Sequence, residues 1–300
     1  MPESPSSSEP ACLFTLLYAG REHHERILAE LVTPVARELR RAPELDSLFF
    51  ARYNVPIWQI RFRVLGEPAW VEGPVRARVE RANRELPAGL VEQVEFDVYD
   101  REIERYGGAE GMALAEQLFL HDTLACLDLL EAERAGGCAK TRREVSLLMA
   151  DRLLDMLRFD RAERLAFYAQ GYQWTHEMGT WGEKDLALLE ERFQGLREGL
   201  QDLFTGAQSR EPEVLWGGPE PARIAAAWQR ATAPIAERIR AAHAAGRIQQ
   251  DKVYLAWSYA HMSANRLGID PTPEAILRFY MHRLLQAQAP AQGKNGGGPD

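Results

Sequence analysis

The order in which hydrophobic periodicity changes along the chain is what most limits the folds open to it. Residues 12–20, CLFTLLYAG, are a short apolar run closed by glycine, which reads as a strand. Residues 21–41 place Ile27, Leu28, Leu31, Val32, Val35 and Leu39 at helical spacing. Pro34 falls inside that pattern and predicts a kink or two shorter helices. LFFARYN (48–54) and WQIRFRVLG (58–66) are rich in aromatic and β-branched residues and flank Asn-Val-Pro, as the arms of a hairpin do. PVRARVERANREL (74–86) reads as a charged amphipathic helix with Pro74 in its first turn, and LVEQVEFDVYD (90–100) alternates as a strand. Strand, helix, strand, strand, helix, strand is the ferredoxin-like split βαβ order.

Beyond Gly107 and Gly108 the alternation stops. Residues 111–134, 141–159, 184–204, 221–246, 250–268 and 272–286 all carry helical periodicity, and 206–221 reads as a loop. The expected fold is therefore α+β. An N-terminal ferredoxin-like antiparallel sheet with two helices covers residues 11–108, and a helical portion of the same unit covers 109–288. The Ser/Pro-rich residues 1–10 and the Gly/Pro-rich residues 289–300 are expected to be disordered tails. The aromatic-rich stretch YQWTHEMGTWG (172–182) fits packing between helices, or a loop that covers substrate.

Charge and cysteine usage exclude several classes. A formal net charge of -8 argues against direct nucleic-acid binding by bulk charge, though not against a local basic site. Cys12, Cys126 and Cys138 are far apart, which supports neither a disulfide framework nor a cysteine zinc site. This cysteine usage suits a reducing, cytoplasmic compartment. Residues 1–11 lack the basic and apolar regions expected of a signal peptide, and the sequence shows no apolar run of membrane-spanning length. His23-His24 and His121-Asp122 lack metal-ligand spacing, so neither a metal nor a cofactor is expected.

Three stretches carry chemistry. In WQIRFRV, residues two apart share a face of a strand, so Arg61 and Arg63 lie side by side, roughly 6.5–7 Å apart, opposite Ile60, Phe62 and Val64. Paired arginines suit carboxylate or phosphate, but a strand with one wet face would read the same way. In EIERYGG, the two glycines allow a sharp turn into the next helix and leave Arg105 at the strand end, either over a groove or in a salt bridge with Glu102 or Glu104. In YLAWSYAHMSANRLG, His261 continues an apolar stripe through Tyr254, Trp257 and Ala264. A histidine so placed is commonly a core residue, yet it is also the side chain that titrates near neutrality. Asn265, one turn on, could orient it or the substrate.

Taken together and in this order, ARYNVPIWQIRFRV, YDREIERYGG and AHMSANRLGI resemble the C-terminal domain of lantibiotic dehydratases, which also occurs alone as a thiopeptide-type bacteriocin biosynthesis protein. The resemblance runs from about residue 12 to 286. It implies an enzyme that eliminates glutamate from glutamylated Ser or Thr of a precursor peptide, leaving dehydroalanine or dehydrobutyrine. It carries His261, Arg105 and Arg63 over as catalytic residues and Arg61, Arg63 and Arg105 as substrate-binding residues, to which Asn265 is added from its place one turn after His261. The implied partners are the precursor peptide, with its leader, and a separate glutamylating subunit that uses glutamyl-tRNA. A homodimer is left open. A related branch performs a formal [4+2] cycloaddition that builds a pyridine, and a leader- or partner-binding role without catalysis is the third alternative. Trp58 and Gln59 depart from the His-Leu usual before the R-x-R pair, which bears on substrate preference.

Overall fold

A computed structural model describes residues 10–177, 181–204 and 211–288. The chain divides into two compact units, one formed by residues up to 158 and 211–271, the other by 159–210 and 272 onward. The tails expected at 1–10 and 289–300 lie outside the described residues, apart from Pro10.

The first unit is built on a four-stranded sheet, ordered β2-β3-β1-β4, with every pairing antiparallel. Its strands are β1 (Ala11–Tyr18), β2 (Leu45–Tyr53), β3 (Gln59–Gly66) and β4 (Gln93–Asp97). Helix α1 (21–39) joins β1 to β2, and α2 (68–85) joins β3 to β4. This is the ferredoxin-like order expected from the sequence. Alternation sends Leu13, Leu17, Leu48, Phe50, Ile60, Phe62 and Val64 to one face, where they meet Ile27, Leu31 and Val35 of α1 and Val71, Val75 and Val79 of α2. Arg61 and Arg63 are thereby left on the other face.

Neither proline breaks its helix. In a regular α-helix the Pro34 ring would strike the carbonyl four residues back, and its missing N–H would leave that carbonyl unpaired. Helix α1 instead widens to a π turn over Leu28–Val32, immediately before Pro34. Helix α2 does the same over Val71–Val75, around Pro74. It also starts earlier than predicted. Pro68 occupies the first turn, and the Glu67 carboxylate accepts hydrogen bonds from the Ala69 and Trp70 amides at 3.1 and 2.8 Å.

The switch after the sheet is made by Gly107 and Gly108, at φ 77° and 116°. A Cβ on Gly107 would lie 2.7 Å from the Gln250 amide nitrogen, so glycine is required there on two grounds. Helix α3 (Ala109–Arg134) follows, then α4 (Arg142–Met156), α7 (Pro212–Trp216), α8 (Pro219–Ala244) and α9 (Lys252–Arg266). The loop expected over 206–221 thus contains a helical turn, closed by Gly217 at φ 79°. Helix α9 is fastened to α3 and β2 by a buried ion pair. Arg266 donates to Asp122 Oδ2 at 2.7 Å and to the Phe50 carbonyl at 3.0 Å, while the Ser263 hydroxyl donates to Asp122 Oδ1 at 2.9 Å.

The second unit contains α5 (Arg161–Glu177), α6 (Glu183–Phe204) and nearly all of α10 (Pro271–Ala287). Residues 172–177 of the aromatic-rich stretch, read as packing between helices or as a covering loop, continue α5 as helix, and 178–180 lie outside the described residues. Its core includes Arg278, which pairs with Glu274 at 3.1 Å and lies over the Phe167 ring.

Candidate functional site

A cavity of about 600 Å³ opens in the first unit where the β2–β3 hairpin end, the start of α1, the Arg105 turn and α9 come together. Arg105, His261 and Asn265 all line it. The stripe of α9 that carries His261 is not the core face. Tyr254, Trp257 and His261 of the expected stripe are half-buried, with Asn265 beside them, whereas its fourth member, Ala264, is buried along with Leu255, Tyr259, Met262 and Arg266. The His261 ring is stacked on Trp257, with centroids 5.3 Å apart and planes within 8°. The Arg105 guanidinium lies 6.0 Å from the same indole and 5.6 Å from the Tyr106 ring. It is held from two sides: Nη1 by Glu102 at 3.1 Å, and Nε by the Ser258 hydroxyl at 3.3 Å. Of the two carboxylates considered for orienting Arg105, Glu102 makes the ion pair. One indole thus supports a fixed cation and an imidazole facing the same space.

Asn265 enters the site through the main chain. Its Oδ1 accepts from the Arg52 amide and its Nδ2 donates to the Arg52 carbonyl, both at 2.8 Å. Both ends of the amide are therefore committed to the edge of β2. The Arg52 side chain runs the other way, donating to Glu25 Oε1 at 2.8 Å, and Arg142 donates to the same oxygen at 2.8 Å. Burial alone would raise the Glu25 pKa, but the two guanidiniums outweigh it and hold it below the usual carboxylate range. Gly268, at φ 81°, leaves room beside this crossing, since a Cβ there would crowd Arg142 Nη1 at 3.2 Å.

Arg61 and Arg63 do not line the cavity. Arg61 stacks on the Tyr53 ring, its Cζ 3.7 Å from the centroid, and Tyr53 forms part of the cavity wall. Arg63 lies among Phe14, Tyr99 and Phe49, at 4.0, 5.0 and 5.5 Å. Burial among these rings works against its charge and lowers its pKa. Among the described residues, neither arginine has a carboxylate within salt-bridge distance, and the Nε of each is buried without a hydrogen-bond partner.

Sequence reasoning missed Arg52, Glu25 and Arg142. These residues become neighbours through contacts between β2, α1 and α4, and no local spacing announces that. His24 was weighed only as a metal ligand. It is instead a buried neutral imidazole, edge-on to Trp58 at 5.8 Å. Its pKa falls to about 4, first through burial and then through the charge of Arg52. Among the described residues no group of three or more His, Cys, Asp or Glu side chains could hold a metal, and no helix is long and apolar enough to cross a membrane.

A family model for the lantibiotic biosynthesis dehydratase C-terminus matches residues 13–285. The subtilin biosynthesis protein SpaB of Bacillus subtilis is 27% identical over 155 residues, which cover 52% of this chain and 15% of SpaB. Among solved structures, the tRNA-dependent lantibiotic dehydratase MibB from Microbispora sp. 107891 aligns over 95% of this chain and 29% of its own, at TM-score 0.65 and 22% identity. TsrL aligns over 93% of this chain and 95% of its own, at TM-score 0.65 and 17% identity. The pyridine synthase TbtD from thiomuracin biosynthesis aligns over 92% of this chain and 98% of its own, at TM-score 0.66 and 14% identity. The chain thus spans a minor part of SpaB and MibB and nearly all of TsrL and TbtD. At these identities the structural matches establish a shared fold.

Proposed function

Because the chain belongs to the lantibiotic biosynthesis dehydratase C-terminal family, we propose that it acts in peptide maturation by removing glutamate from glutamylated Ser or Thr of a precursor peptide. The observation that carries this reading is the joint placement of Arg105 and His261 on one cavity, backed by the same indole. In the elimination, the Cα–H proton goes to a base, the Cβ–O bond breaks, a Cα–Cβ double bond forms and glutamate leaves as a carboxylate. His261 takes the proton. Arg105, already oriented by Glu102 and Ser258, faces the negative charge that develops on the peptide carbonyl or on the departing carboxylate. Arg61 backs the cavity-wall ring of Tyr53, and Arg63 lies outside the cavity among Phe14, Phe49 and Tyr99, so neither is assigned a contact with the glutamate. Asn265 contributes by fixing α9 against β2. A separate glutamyl-tRNA-dependent subunit would supply the glutamylated peptide.

The test is to incubate the protein with a glutamylated precursor and follow its mass. Loss of glutamate with formation of dehydro residues is expected. Arg105→Ala and His261→Ala should leave the glutamylated peptide in place. An unchanged substrate, where an authentic elimination domain acts, would refute the reading. A second reading, pyridine-forming cycloaddition, is favoured by the match to nearly the whole length of TbtD. It predicts no glutamate loss but expulsion of the leader from a dehydroalanine-rich substrate.

A further inference from the structure

The reverse side of α9 lines a second, smaller pocket that no step above uses. It has a volume of about 220 Å³ and lies between α8, α9 and the C-terminal end of α4. Its floor is apolar, made by Leu157, Ile239 and Leu255, while Arg158, Arg240 and Lys252 surround it. Arg158 and Arg240 also line an adjoining depression with Asp155 and Glu237. Among the described residues, neither Arg158 nor Arg240 has a carboxylate within salt-bridge distance, and the Arg240 Nε is buried without a partner. Tyr259 forms part of the wall. Its side chain is 1% exposed, and its hydroxyl has no hydrogen-bond partner. A buried hydroxyl left unpaired is destabilising. Arg158 is also the one non-glycine residue with positive φ, at 54°, among the described residues. Strain of this kind is retained where the surrounding structure requires the residue in that place. Lys252, which donates to the Arg158 carbonyl at 3.3 Å, helps hold it there.

We propose that this pocket binds a small organic acid: a carboxylate carried on one aromatic ring or a compact branched alkyl group. The volume fits, since an apolar cavity of about 150 Å³ already admits benzene. The planar fork of Arg240 matches a carboxylate, with Arg158 and Lys252 adding charge at the rim. The Tyr259 hydroxyl is the additional polar group such a ligand would satisfy. Tyr259 is stacked on Tyr106, with centroids 5.6 Å apart, and Tyr106 follows Arg105 in sequence, so the ligand would sit one ring pair behind the larger cavity.

The proposal is tested by calorimetric titration of the full chain with phenylacetate and with its neutral analogue phenylacetamide. Phenylacetate should bind saturably at a single site, at least tenfold tighter than the amide. Arg240→Gln should weaken it at least tenfold. Ala244→Trp, a substitution at an exposed position on the pocket wall, should abolish binding without touching the core. Tyr259→Phe should leave the melting temperature of the free protein unchanged or higher while weakening phenylacetate. Arg105→Lys should leave phenylacetate binding unchanged. Equal affinity for acid and amide, full affinity in Arg240→Gln or in Ala244→Trp, loss of binding in Arg105→Lys, or no saturable binding at millimolar probe would each overturn the proposal.

Discussion

Removing one member of the Asp122–Arg266 pair should damage the first unit far more than removing both. Arg266 is 0% exposed at its side chain and Asp122 2%, so neither charge is screened by water. Asp122→Asn keeps the shape but leaves the guanidinium over the Phe119 ring with only the Phe50 carbonyl and a weakened amide contact. Arg266→Met leaves a carboxylate with only the Ser263 hydroxyl and the weakly donating Cys126 thiol nearby. Breaking a buried pair in this way costs about 3–5 kcal/mol, because an uncompensated charge stays in a dry interior. The double variant Asp122→Asn, Arg266→Met buries no net charge, so its cost should fall well below the sum of the two. With a urea slope of roughly 2–3 kcal/mol per M, each single variant should lower the unfolding midpoint by about 1–2 M at unchanged slope. The double-mutant cycle should return a coupling of about 2 kcal/mol or more. Single variants within about 1 kcal/mol of the native protein, or a double variant as costly as the sum, would refute the account of a mutually dependent ion pair.

Acidification should destabilise the protein through His24. Its folded pKa of about 4 lies below the ordinary 6.5, so the unfolded chain binds more protons between those values. Stability is therefore full above the upper value and falls as pH drops toward the lower one, by about 2 kcal/mol between pH 7 and pH 5; urea unfolding of His24→Phe should show a correspondingly flatter pH dependence. Gly107→Ala combines positive φ with a contact on the Gln250 main chain. It should cost at least about 1–3 kcal/mol, read as a lowered melting temperature. Burial pushes the Cys12 thiol up to about 12 and raises that of Cys126 well above its ordinary value too. Iodoacetamide at mildly alkaline pH should leave both unmodified in the native protein, as peptide mass spectrometry would show. Arg105→Lys keeps the charge but loses the guanidinium fork held by Glu102 and Ser258, and should lower the proposed elimination rate by about 10²-fold.

The sheet was legible because its signal is local. Period two in residues 58–66 places Phe62 and Val64 inward and Arg61 and Arg63 outward whatever else the chain does. The Gly107-Gly108 turn was legible for the same reason, since backbone geometry alone demands it. Pro74 was placed in the first turn of its helix, whereas the helix starts at Pro68 and passes Pro74 on a widened turn; the irregularity expected at Pro34 takes the form of a π turn just before it. Helix α9 carried its apolar stripe on the cavity side, so a stripe that looked like core became a wall of the site. Arg105 and His261 are 156 positions apart in sequence, and only the resemblance joined them before the structure did. The Glu25–Arg52–Arg142 crossing had no motif at all. It exists only once β2, α1 and α4 have packed.

The Asn265 amide has a consequence for how a peptide can approach. It offers β2 one acceptor and one donor with the spacing of a peptide bond, and so behaves as a single residue of a missing neighbouring strand. At Arg52 the edge of the sheet is already capped from within the chain, which guards it against strand-to-strand association. Were the proposed peptide substrate to enter the cavity beside Arg52, it would find no free main-chain groups on that residue with which to extend the sheet; β4 is the opposite edge.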